Sequence, residues 1–251
     1  MVSVEKHLPA IVRQNIIWIG NLPSILRIGL MNTKFSDYEF VLNHPFTGSG
    51  SVRTNFSQAF QDLFVLTMLD GKKGGKYLEI GANDPIVLSN SCLLETQFGW
   101  KGISLEYQAA LVDAFNVQRS NVCYQCDAQI FDWYSAIKRK RWSGQIDYLS
   151  VDCEPAQVTF NAAKNLPFDI CRFSVITYEH DVYHDDCGAR EKSREFFDSM
   201  GYQRVVSDVC NGGNPYEDWY VDPQVVPEER WKPFVSSMVE AKDLFVTPLK
   251  S

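Results

Sequence analysis

The chain has 251 residues, 45% of them hydrophobic, seven cysteines and a formal net charge of −7. A chain of that length and apolar content buries a substantial core without disulfide or metal staples, which excludes the disulfide-scaffold and disordered classes. The acidic balance argues against nucleic acid or an anionic membrane as the main partner and favours a small ligand.

Residues 1–50 are irregular, punctuated by Pro9, Pro23, Pro45 and Gly48-Ser49-Gly50-Ser51. The stretch from Leu8 to Leu30 is interrupted by Arg13, Asn21 and Arg27, so no export signal or membrane span is expected. Its amphipathic part, with Ile11, Ile16, Ile17, Trp18 and Ile19, reads as a packed extension, a lid or a homodimerisation arm. We therefore divide the chain into an N-terminal extension, 1–55, and one domain, 56–251.

From Ser57, the spacing of Phe60, Leu63, Phe64, Thr67 and Met68 predicts an amphipathic helix stopped by Gly71 to Gly75. Short apolar runs then alternate with helix-length segments. The runs are Lys76–Gly81, Gly102–Glu106, Asn121–Gln125, Ile146–Asp152, Phe173–Glu179 and Tyr202–Val206. Leu111, Ala114 and Phe115 stripe one intervening helix, and Phe196, Phe197 and Met200 another. Such alternation predicts βαβ units in a single α/β domain, with a mainly parallel sheet and helices on both faces. Trp219 and Tyr220 read as a late strand packing its aromatics into the core, with Glu217 and Asp218 beside them either part of that strand or reaching the substrate pocket. After Pro227, the spacing of Trp231, Phe234, Val235, Met238 and Val239 predicts a closing helix.

The odd cysteine count fits reduced thiols in a cytoplasmic protein. Cys123-Tyr124-Gln125-Cys126 has CxxC spacing but lacks the second pair a zinc site needs, and Lys138-Arg139-Lys140-Arg141 reads as a solvated helix end.

In open parallel sheets ligands bind beyond the carboxyl ends of the strands, so chemistry is sought there. The first strand runs into Glu79-Ile80-Gly81-Ala82-Asn83-Asp84, whose small residues let a ligand approach the backbone. Glu106 ends the second strand and suits two ribose hydroxyls; Asp127-Ala128 follows the third and suits an exocyclic amine. This acidic series lacks the glycines of a pyrophosphate loop, so it fits a cationic nucleoside such as S-adenosylmethionine better than a nicotinamide dinucleotide.

Several separated pieces resemble FkbM-type methyltransferases, a branch of the S-adenosylmethionine-dependent enzymes. They are Ser57-Gln58 with Gln61-Asp62; Glu79 to Asp84 with Leu88-Ser89-Asn90-Ser91 and Leu94-Glu95; and Gly99-Trp100-Lys101-Gly102 leading to Glu106. Asp147 to Glu154, Ile176 to His180 and Tyr216 to Pro223 complete the set, with Pro85 and Pro155 standing where the family has glycine. The resemblance implies the Rossmann-like seven-stranded methyltransferase fold with its last strand antiparallel. It implies O-methylation of a small-molecule hydroxyl on a sugar or glycosylated metabolite. Gly81, Ala82 and Asn83 would face the methionine part, Glu106 the ribose and Asp127 the adenine, with Glu79, Asp84, Asn90, Ala128 and Asp152 completing the cofactor set. His180, Asp152 and Glu179 are the candidate bases. The same three as ligands of Mg2+ or Mn2+ form an alternative, and a non-catalytic binding module or a nicotinamide oxidoreductase are others.

Overall fold

The computed structural model describes residues 40–184 and 187–248, so the stretch from Ile11 to Ile19 lies outside the described residues. Ten strands are present among them: β1 Phe40–Leu42, β2 Lys76–Ile80, β3 Lys101–Glu106, β4 Val122–Gln125, β5 Gly144–Val151, β6 Cys171–Glu179, β7 Gln203–Asn211, β8 Asn214–Val221, β9 Ser236–Glu240 and β10 Val246–Pro248. The α-helices are α1 Gln61–Met68, α2 Cys92–Phe98, α3 Ala109–Gln118, α4 Trp133–Lys140, α5 Ala156–Lys164, α6 Ala189–Ser199 and the short α7 Glu228–Trp231 and α8 Ala241–Phe245.

Eight strands form one sheet in the order β4-β3-β2-β5-β6-β8-β7-β9, while β1 pairs antiparallel with β10. β8 runs antiparallel to both of its neighbours, and the other pairs in the large sheet are parallel. From the central β2 the chain winds out through β3 and β4, returns to the other side of β2 with β5, and continues outward. This is the Rossmann-like methyltransferase fold, its seventh strand of the large sheet antiparallel, with β9 added at the edge beyond β7.

Period-two alternation distributes the core over two layers. Tyr77, Tyr148, Val175 and Trp219 pack on one face with α1 and α2; Leu78, Leu149, Ile176 and Tyr220 pack on the other with α4, α5 and α6. The first predicted helix is present as α1, but all eight of its residues are buried. Phe46 and Val52 from the preceding segment, with Phe234 and Phe245 from the chain's end, belong to the same core cluster and cover its outer side. Phe64 stacks on Trp219 at 4.6 Å and Phe60 on Phe245 at 5.8 Å. A helix covered all round has no need of a polar face.

The predicted closing helix is corrected. α7 ends at Trp231, a 3-10 turn with Pro233 in it follows, and the chain then extends as β9. Proline withdraws a helical donor, and pairing of Val206 with Ser236 and Val209 with Val239 supplies ladder bonds along β7 instead. The apolar spacing does not make one buried face: Phe234 is buried, whereas Val235 and Met238 are exposed.

Candidate functional site

A cavity of about 650 Å3 lies at the carboxyl ends of the strands, where the strand order reverses between β2 and β5. Register sets Ile80 level with both Leu105 and Val151, so the residues that follow these strands meet at one height. The Gly81 and Ala82 N–H groups both donate to the Leu105 carbonyl (2.9 and 3.0 Å), and the Asp152 N–H donates to the Ile80 carbonyl (2.9 Å). Gly81 adopts φ 81°, and a Cβ there would lie 1.6 Å from the Asp152 carbonyl oxygen. Only glycine allows this turn to pass so close to β5.

Most of the sequence-predicted residues converge here. Glu79, Gly81, Ala82, Asn83, Asn90, Glu106, Asp127, Ala128, Asp152 and Glu179 all line the cavity. Glu79 is buried and accepts from the Ser104 and Ser91 hydroxyls at 2.6 and 2.9 Å; burial raises its pKa despite these donors. Glu106 accepts the Asn83 N–H on one oxygen (2.9 Å) and the Gln108 N–H on the other (2.8 Å). A carboxylate offers about four lone-pair sites, so two of them remain for a ligand. Asp127 caps the following 3-10 turn, accepting from the Gln129 N–H at 2.9 Å.

Asp152 and Glu179 stand together at the ends of β5 and β6. Burial raises both pKa values, Glu179 far above the carboxylate range; Asp152 adds to the rise of Glu179, whereas the hydrogen bond with Glu179 favours the ionised form of Asp152. Such a pair holds a shared proton. Burial likewise raises Glu154, which stands beside them.

Two predicted residues are placed elsewhere. Asp84 does not line the cavity; its Oδ1 accepts from the Ile86 and Val87 N–H groups and holds its own turn. His180, buried on the α6 side of the sheet, is also away from the cavity, with Nε2 3.6 Å from Asp208 Oδ1 and from Asp218 Oδ1. Arg194 binds Asp218 through two nitrogens (2.7 and 2.9 Å), and Arg190 and Arg194 both reach Asp208. Against its burial, Arg194 and His180 hold Asp218 well below the usual carboxylate range.

His180, Asp208 and Asp218 form a compact trio with ligand-type atoms within 4.8 Å of one another. The Val182 N–H donates to His180 Nδ1 at 3.3 Å, which leaves Nε2 as the protonated nitrogen facing the carboxylates. With two arginines already neutralising those carboxylates, the trio is suited to an internal ion network rather than to a cation. The alternative ligand set Asp152, Glu179 and His180 is split between the two faces of the sheet. Glu217 and Asp218 are buried away from the cavity: Glu217 accepts from Trp219 Nε1 and Gln61 Nε2 on the α1 side, and Asp218 meets Arg194 on the α6 side.

Further lining residues escaped the sequence reading as site members: Tyr107 and Gln108 directly after Glu106, Gln129 after Asp127, Gln58, and Tyr183. Their positions just past strand ends were the available signal for the first three; Tyr183 sits in an irregular loop and offered none. The seven cysteines are unpaired, with Cys126 and Cys153 at the cavity wall. Among the described residues no helix is long and apolar enough to cross a membrane.

No protein-family model matches the chain, and no curated protein matches it. Solved structures similar to it include methyltransferases. Human methyltransferase 10 domain-containing protein is 12% identical, over 65% of this chain and 82% of that one, with a TM-score of 0.44. The O-methyltransferase from Bacillus cereus in complex with SAH is 14% identical, over 71% and 83%, with a TM-score of 0.43. A methyltransferase from Pyrococcus furiosus is 14% identical, over 64% and 80%, with a TM-score of 0.42.

Proposed function

We propose that this cavity binds S-adenosylmethionine and that the protein transfers its methyl group to a hydroxyl of a small molecule. The observation that carries the reading is the convergence of the Gly81 turn, Glu106 and Asp127 on one cavity at the switch point. Its volume falls within the roughly 300–1,000 Å3 of small-molecule sites. The donor set fits the ligand: Glu106 has acceptor sites left for two ribose hydroxyls, Asp127 suits an amine, and acids with no cation lining the cavity among the described residues suit a sulfonium and an ammonium. A pyrophosphate would meet like charge there, which disfavours the nicotinamide reading.

Bound S-adenosylmethionine supplies a methyl group on a sulfonium, which leaves as a neutral thioether when the acceptor oxygen displaces it in line. The protein's part is to orient that oxygen and take its proton. Alignment provides most of the acceleration, and a positioned base adds roughly 10² to 10⁴. We assign the base to the Asp152–Glu179 pair, whose burial makes the ionised member a stronger proton acceptor than a free carboxylate. His180 is assigned a positioning role, anchoring the end of β6 through the Asp218–Arg194 network. A sugar or glycosylated metabolite as acceptor rests on the FkbM resemblance, and the unpaired thiols support a cytoplasmic setting.

Calorimetry with S-adenosylhomocysteine tests the reading. Binding is expected for the parent and a loss of tenfold or more for Glu106→Ala, about one charged hydrogen bond. Glu179→Gln is expected to keep that heat while losing turnover. No heat with well-folded parent protein would refute the assignment.

A further inference from the structure

Six carboxyl groups line the cavity, while among the described residues no lysine, arginine or histidine does. Glu79 accepts from two serines, Glu106 from two backbone N–H groups and Asp127 from Gln129. Asp152, which Asn90 and Glu179 reach, gathers with Glu154 and Glu179 on the β5–β6 side, and burial raises the pKa of each. Asp181 lies against them, its buried Oδ1 without a hydrogen-bond partner. His184 faces Glu154 from the adjoining loop. Among the described residues none of these four acids takes part in a salt bridge.

A second observation concerns Asn90, whose side chain also reaches Asp152. Asn90 is buried and lines the same cavity; its Nδ2 donates to Ser150 Oγ at 3.0 Å, while its Oδ1 has no partner. A buried amide oxygen left unpaired is costly, so this side of the cavity needs a donor from the ligand. The wall there is rich in carboxyl oxygens, and a ligand that brings N–H groups and positive charge favours their ionised form.

We propose that the acceptor is a polyol bearing a protonated amine, an amino-sugar-like molecule whose ammonium sits against Glu154 and the Asp152–Glu179 pair beside the reacting hydroxyl. This rests on the methyl-transfer reading of the same cavity and narrows its substrate class. Phosphorylated or carboxylated sugars would add like charge to acids that already resist ionisation. An ammonium is favoured over a divalent ion because the compact three-ligand group among the described residues is His180, Asp208 and Asp218 on the other face, not these carboxyls. An ammonium is satisfied by one or two of these carboxyls, whereas an ion needs several oxygens converged on one point.

The test is calorimetry on the full chain saturated with S-adenosylhomocysteine, titrated with the methyl glycosides of glucosamine, glucose and glucuronic acid. The amine is expected to bind about tenfold or more tighter than the neutral sugar, with the uronide weakest. Glu154→Gln is expected to reduce that preference to about threefold or less with S-adenosylhomocysteine affinity retained, which also reports that the variant is folded. Equal heats for the three sugars, or none from the amine, overturn the proposal and leave the methyl-transfer reading standing. Magnesium chloride that gives heat alone and abolishes the amine's heat overturns it in favour of an ion. Absence of heat with S-adenosylhomocysteine itself overturns the methyl-transfer reading and this inference with it.

Discussion

Gly81→Ala isolates the close approach on which the cavity is built. At φ 81°, an alanine carries the left-handed penalty of about 1–2 kcal/mol. Its Cβ, 1.6 Å from the Asp152 carbonyl oxygen, must also push the tips of β2 and β5 apart by more than an ångström. That movement weakens the Asp152-to-Ile80 and Gly81-to-Leu105 hydrogen bonds, each contributing about 1 kcal/mol. The expected total is about 3–4 kcal/mol, a fall in thermal midpoint of roughly 6–16 °C for a domain of this size. Gly99→Ala is the control, since Gly99 has φ 70° but nothing within 4 Å of the added methyl group, so only the backbone penalty applies. Differential scanning calorimetry compares the two, and titration with S-adenosylhomocysteine follows the cavity. Gly81→Ala should lose the larger share of stability and most of its affinity, whereas Gly99→Ala should show only the smaller backbone loss and keep its affinity. Equal losses in both variants would refute the argument that β5 crowds this turn.

Arg119 and Glu95 form a buried pair at 2.8 Å, and Arg119 also donates to the Pro85 carbonyl. Arg119→Met should cost about 3–5 kcal/mol in urea unfolding by stranding the Glu95 charge, with much of it recovered in the Arg119→Met/Glu95→Met double variant. Burial first, and then nearby Asp152, push the Glu217 carboxyl up to about 8, so the native state holds a proton there that the unfolded chain releases near pH 4.5. Its contribution is complete below the unfolded value and is lost as pH rises toward 8. Glu217→Gln should therefore raise the thermal midpoint at pH 8.5 relative to the parent and bring little gain at pH 4.5, while a gain that is the same at both pH values would sink this account.

Legibility followed how local the cause was. The six predicted central strands appear within a few residues of their expected starts, because runs such as Tyr77 to Ile80 are buried on both faces and carry their own signal. β9 did not announce itself: it exists because β7 offers an open edge and Pro233 interrupts helix, a contest settled by partners some thirty residues away. Alternation along a strand also held information that residue type obscured. Glu179 shares its face with Thr177 and Val175, whereas His180 shares its own with Tyr178 and Ile176, toward α6. Histidine's chemistry drew it into the candidate set; the parity of its position sends it to Asp218.

The charge distribution along the sheet follows from the same geometry. In βαβ units the helix N-termini lie at the carboxyl ends of the strands and carry partial positive charge, while the helix C-termini lie at the opposite end. Glu106 and Asp127 stand at the first kind of terminus, ahead of α3 and the 3-10 turn. Lys138, Arg139 and Lys140 close α4 at the second kind and are exposed there. That complementarity accounts for the basic run and makes Glu106 and Asp127 favourable where they stand, with both lining the cavity. It does not extend to Asp152, Glu154 and Glu179 together, because these carboxyl groups still resist ionisation. The carboxyl groups left uncompensated after helix ends and local donors are counted are therefore concentrated on the β5–β6 side of the cavity, beside Asn90, which is where a cationic acceptor gains most by binding.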